Sequence, residues 1–135
     1  MNEQNKTPEY MLLFRGTHWD KTLSPEQIQN VMTRWMGWFE RLTNQGVVKA
    51  GQPLTHEGRI VSGKQGRTVS DGPFAESKEA IAGYFLLQVE TLDQAVEIAR
   101  ECPALEYGMT VEVRTVAAQC PTSQRAQQEY APATA

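Results

Sequence analysis

Between Val69 and Glu79 the chain reads Val-Ser-Asp-Gly-Pro-Phe-Ala-Glu-Ser-Lys-Glu, a run that places the ionisable side chains of Asp71, Glu76 and Lys78 close together. Gly72 tolerates backbone angles closed to other residues, and Pro73 fixes its own φ while restricting the residue before it. Asp71 can fold its carboxylate onto neighbouring backbone amides as an Asx-turn. Two readings of this segment follow. One is a rigid turn between strands. The other is a carboxylate held still beside Glu76 and Lys78, the arrangement that proton transfer requires. A second group of interest is Gly16-Thr-His-Trp-Asp20. His18 stands there after an apolar run and ahead of a helix start, either as a general base oriented by a carboxylate or as a solvated loop residue. His56 lies in a Gly- and Pro-punctuated surface stretch.

These residues need a scaffold, and the apolar periodicities outline one. Tyr10–Arg15 is a short apolar run closed by Gly16 and reads as a strand. Ser24-Pro25-Glu26-Gln27 supplies a capping serine, a proline at the first helical position and a glutamine that completes a capping box. From there Ile28, Val31, Met32, Trp35, Phe39 and Leu42 recur three or four residues apart and form one helical face, which Met36 and Trp38 widen. Trp38, at the stripe's edge, could line a pocket between helix and sheet or cover an interface. Gly46 is placed to end the helix. Val47–Ala50 reads as a strand. The segments 58–62 and 67–70 flank Gly63-Lys-Gln-Gly66 as a hairpin.

The stretch 82–89 is apolar on both alternating faces, with Phe85, Leu87 and Val89 on one and Tyr84 and Leu86 on the other. Thr91–Gln94 opens a second helix whose apolar face comprises Leu92, Ala95, Val96 and Ala99. The stretch 109–116 alternates as a final strand. The order β-α-β, hairpin, β-α-β predicts an α+β, ferredoxin-like sandwich with an antiparallel sheet and both helices on one face. The apolar second face of 82–89 predicts a homodimer that packs sheet to sheet.

Composition sets limits. The chain has 135 residues, is 40% hydrophobic and 21% charged, and has a net charge of −3. One domain is expected at 9–116, with flexible tails at 1–8 and 117–135, because those ends offer little apolar area to offset ordering entropy. A mildly acidic chain is a poor match for direct nucleic-acid binding. No apolar run approaches the ~20 residues of a membrane helix, and the polar start lacks a signal-peptide core, so a cytoplasmic location is expected. Two cysteines and two histidines, without metal-ligand spacing, predict no metal site. No cofactor motif is present.

The run Ser70-Asp-Gly-Pro-Phe-Ala-Glu-Ser-Lys-Glu79 followed by Gly83-Tyr-Phe-Leu-Leu resembles the YCII-related, DGPF-type family of small bacterial proteins. Tyr10-Met-Leu-Leu-Phe14, Leu23-Ser-Pro-Glu26, Ala50-Gly51 and Val111-Glu-Val-Arg114 carry the same resemblance. It implies the ferredoxin-like fold of the dimeric α/β-barrel superfamily. The acid of the DGPF turn, matched here by Asp71, is implied as a site residue. The histidine that accompanies it in some relatives sits in the first helix, whereas His18 precedes that helix here. One branch of the family removes chloride from a hydroxylated aromatic, and some relatives are linked to extracytoplasmic-function sigma factors. The expected site therefore has Asp71 and His18 as catalytic candidates, with Arg15, Trp38, Tyr84, Glu76 and Lys78 binding a small molecule. Two functions are open: a non-catalytic binding or regulatory module, and a cofactor-free lyase or dehalogenase-like enzyme acting on a small polar aromatic.

Overall fold

A computed structural model describes residues 7–73 and 79–130. Its elements are β1 (Glu9–Arg15), α1 (Pro25–Asn44), β2 (Val48–Pro53), β3 (Arg59–Ser62), β4 (Thr68–Asp71), β5 (Ile81–Gln88), α2 (Leu92–Ala99), β6 (Thr110–Thr115) and α3 (Pro121–Tyr130). Four strands form an antiparallel sheet in the order β2-β5-β1-β6, and β3 and β4 form a separate two-stranded sheet. This is the ferredoxin-like α+β arrangement, with an open sheet and no closed barrel within one chain.

Local chemistry sets the helix ends. Ser24 Oγ accepts the Gln27 backbone N–H at 3.1 Å, and Gln27 Oε1 accepts the Ser24 N–H at 2.8 Å, so both donors are satisfied reciprocally. Thr91 and Gln94 repeat the device at α2. At the far end of α1, Gly46 has a φ of +75°, which lets its N–H reach Thr43 O and the Val47 N–H reach Leu42 O at 2.9 Å. This pair of hydrogen bonds closes a helix on a left-handed residue, and Val47 packs against the core cluster that includes Leu42.

Along β1, Tyr10, Leu12 and Phe14 are buried, while Met11, Leu13 and Arg15 are half-buried on the other face. The buried side meets Val31, Trp38 and Leu42 of α1, Ala95 and Ala99 of α2, and Phe85 and Leu87 of β5. Phe14 stands edge-on to Phe85 with ring centroids 4.9 Å apart, and Trp38 lies 5.0 Å from Phe85. Trp38 is therefore a core residue, 3% exposed, and not an edge residue of the stripe. Its indole Nε1–H donates to Glu101 Oε1 at 2.9 Å, which satisfies the polar tip of a buried ring. Met36, expected to widen the same face, is 71% exposed instead. In α2, Ile98 packs on the core while Leu92 points outward, because the short helix turns only Ala95 and Ala99 fully inward.

The C-terminal stretch expected to be flexible forms α3, whose residues up to Glu129 are exposed. Being polar all round, the helix rests on local bonds such as Arg125 Nε to Glu129 Oε2 at 2.5 Å, one turn apart.

At the base of the β3–β4 hairpin, two glycines approach each other. A Cβ on Gly58 would stand 2.5 Å from the Gly72 carbonyl oxygen, and one on Gly72 would stand 2.3 Å from Ile60 Cδ1. Gly72 is buried, and close approach, not a left-handed conformation, is what excludes a side chain there. The Gly72–Pro73 peptide is cis. Because a backbone carbonyl cannot move aside as the end of an isoleucine can, Gly58→Ala should cost about 1–3 kcal/mol in urea melts and Gly72→Ala less. Equal melts for wild type and Gly58→Ala would show that the base of the hairpin is loosely packed.

Cys102 adds a pH dependence. Its thiol is buried and lies 3.9 Å from Met109 Sδ. Burial pushes its pKa from 9.0 up to about 11, against smaller opposing contributions from the backbone at Ala104 and Leu105. The unfolded chain releases this proton near pH 9 while the folded chain retains it, so the stabilisation is complete below pH 9 and is lost as pH rises to about 11. Across that window wild type should lose on the order of 2–3 kcal/mol more than Cys102→Ala, measured by urea melts at each pH.

Candidate functional site

Arg15 ends the central strand on the open face of the sheet. Its guanidinium pairs with Glu79 and with Glu112 Oε1 at 3.3 Å, and Arg114 reaches Glu112 Oε2 at 3.2 Å. Glu112 lies opposite Leu13 in the β1–β6 register. Beside this ion network runs an apolar strip built from the cross-strand pairs Met11–Leu86 and Leu13–Tyr84. All four side chains are half-buried. The open face is thus apolar along β1 and β5 and charged along β6.

Where the sheet ends, the Gly16 N–H donates to Ala80 O at 2.8 Å, fastening the β1–α1 loop to the entry of β5. The Leu54 N–H donates to Ala82 O at 2.8 Å and fastens the exit of β2 to the same place. Between these attachments and Pro73 lies a half-open cleft of about 360 Å³. Leu54, Pro73, Ala80 and Ile81 give it apolar walls, and Thr55, Glu57 and Glu79 give it polar ones. Glu79, through its pair with Arg15, joins the cleft to the charged part of the sheet face.

The structure distributes the expected site residues over several places. Arg15 and Tyr84 share the open face. Trp38 lies in the core beneath the sheet, on the opposite side from Tyr84, so it does not line the cleft. Asp71 ends β4, where it is paired in register with Arg59 and makes a 3.4 Å ion pair with Arg59 Nε. Its side chain is 90% exposed. His18 occupies the β1–α1 loop, its carbonyl accepting the Lys21 N–H, and its Nε2 is buried without a hydrogen-bond partner. Glu76 and Lys78 lie outside the described residues. Among the described residues, no group of three or more His, Cys, Asp or Glu side chains is placed to hold a metal ion.

Leu54, Thr55, Glu57 and Ile81 were absent from the sequence expectation, since no spacing relates the end of β2 to the start of β5. Glu112 did carry a signal, as a charged residue within the alternating strand 109–116.

The fold and this cleft define a ferredoxin-like α+β domain with an opening where the sheet meets an extended hairpin. The chain matches the YCII-related domain over residues 9–119, and it belongs to that family. It is also similar to an uncharacterised protein of Rhizobium meliloti (strain 1021), at 48% identity over 33 residues, which covers 24% of this chain and 27% of that protein. The match thus spans about a quarter of the relative's length. No helix among the described residues is long and apolar enough to cross a membrane.

The Asp71–Arg59 pair is solvent-exposed on both sides, and exposed pairs of this kind contribute ~0–1 kcal/mol. Asp71→Asn should therefore melt within about 1 kcal/mol of wild type. A larger loss would show that the carboxylate holds the turn together.

Proposed function

We propose that this YCII-related protein is a homodimeric small-molecule binding module, with the ligand seated in the cleft beside the DGPF turn. The cleft carries the reading. Its volume is that of a small-ligand pocket, its walls are mostly apolar, and a few polar groups border it. A ligand with an apolar body and a hydrogen-bonding group directed at Glu79 and Thr55 suits these walls. Asp71, turned to solvent and paired with Arg59, is not among the lining residues, and this supports binding over proton transfer at the cleft. The strip of Met11, Leu13, Tyr84 and Leu86 supports pairing of two sheets face to face, which would also shield the Arg15–Glu112 network. A regulatory link to a sigma factor and a cytoplasmic location are consistent with such a module and rest on the resemblance and the composition.

One observation favours a second reading. The Nε2 of His18 is buried without a hydrogen-bond partner, and the loop that carries it is fastened to the rim of the cleft at Ala80. In an enzyme, His18 would serve as the base, with Asp71 assisting from the hairpin.

Thermal-shift screening against small phenols, including chlorinated ones, tests the binding reading. Ligands should raise the melting temperature of wild type and fail to do so for Leu54→Trp, whose indole fills the cleft. Equal shifts in both proteins would move the site elsewhere. Chloride release or other turnover by wild type that disappears in His18→Asn would replace the module with the enzyme. Light scattering should give a dimer for wild type and a monomer for Leu86→Asp, and a wild-type monomer at micromolar concentration would overturn the pairing.

A further inference from the structure

The β3–β4 hairpin is an unusual element. It bonds to no strand of the main sheet, and all eight of its strand residues are exposed. A lone two-stranded hairpin is at best marginally stable in water. This one nevertheless presents apolar side chains to solvent: Val61 and Val69 are 62% and 59% exposed, and they are direct cross-strand partners. The alternation of side chains puts this pair on the same face as Arg59 and Asp71, with Val61 and Val69 one step closer to the tip. Ile60, on the other face, lies beside Gly72 at the base and is 46% exposed.

We infer that this hairpin is an arm that packs its Val61–Val69 face onto a second copy of the chain. Charge selects that occupant. The arm carries three cations, Arg59, Lys64 and Arg67, against the single carboxylate of Asp71, within a chain whose net charge is −3. The rest of the chain therefore carries a net charge of −5, opposite in sign to the arm. An acidic body attracts the basic arm of another copy, while two arms repel one another, so the favoured contact is arm on body. Apolar anchors at the centre with cations around them form a small interface of ordinary composition. The arm leaves from the rim of the ligand cleft, through Glu57 on one side and Pro73 on the other. Docking on a second copy would thus fix the walls of the cleft from which it emerges.

This inference goes beyond the face-to-face pairing of sheets, which by itself leaves both arms free. Sedimentation equilibrium of the full chain, with hydrogen exchange read at the amides of 59–62 and 68–71, tests it. The arm variants are Val61→Ser with Val69→Ser, and Lys64→Glu with Arg67→Glu. Because these side chains lie outside the core, both variants should melt with wild type at concentrations where wild type is monomeric, while each raises the dimer dissociation constant about tenfold or more. The arm amides of wild type should be protected at concentrations where the dimer forms and exchange rapidly on dilution. A dimer of unchanged affinity in both variants would overturn the arm contact and leave the sheet pairing standing. Arm protection independent of concentration would also overturn it, since the arm would then be held by its own chain. A wild-type monomer at all concentrations would overturn both.

Discussion

Phe14 and Phe85, on neighbouring central strands, form with Trp35, Trp38 and Phe39 of α1 an aromatic cluster whose ring centroids lie 4.8–6.4 Å apart. Most of the rings meet edge to face or tilted, the geometries that the quadrupoles of aromatic rings favour. The cluster fixes the distance and rotation of α1 over the sheet. It leaves no room for a side chain at Gly51 on β2, where a Cβ would stand 2.9 Å from Phe85 and 3.0 Å from Phe39. Gly83 is constrained in the same way, since a Cβ there would stand 2.8 Å from Gln52 O. The β2–β5 pairing that places the cleft is therefore held tightly by backbone contact.

Because the helices occupy one side of the sheet, whatever the other side carries is free of their packing demands. That freedom accommodates Arg15 on the central strand, where an unpaired charge would be costly. Its side chain is only 25% exposed, and it lies between Glu79 and Glu112. The ion network and the apolar strip beside it would be redundant for a domain stabilised entirely by its helical face. Their common position, next to the cleft and on the face left uncovered, connects the packing of the core to the proposed recognition surfaces.

The sequence made legible those parts of the fold that depend on neighbours in the chain. Both capping boxes, the left-handed Gly46 and the hairpin around Gly63 and Gly66 are local devices, and each could be read from a few consecutive residues. Trp38 was harder because helical periodicity alone puts it at the edge of the stripe. It is buried because Glu101, 63 residues away, receives its indole N–H, and Phe85 receives its ring. The α3 helix was missed because it lacks an apolar face and rests on polar contacts. For the site, Arg15 and Tyr84 could be assigned to one face by strand alternation. The cleft could not be foreseen, since it arises where the end of β2, the start of β5 and the DGPF turn converge.

The DGPF turn itself separates into a part that packing explains and a part that it does not. A side chain at Gly72 would have to displace the end of Ile60, and one at Gly58 would meet the Gly72 carbonyl, which cannot move aside. Those two glycines set where the arm begins and how its strands cross. Asp71, one residue earlier, has a side chain 90% exposed and a single ion pair with a partner that is itself 58% exposed. An exposed pair of this kind contributes little to folding. Packing therefore accounts for the glycine of the turn and leaves the carboxylate without a structural requirement. At the root of a basic arm this carboxylate, paired with Arg59, moderates the arm's positive charge and leaves the hairpin less strongly basic than its three cations alone would make it.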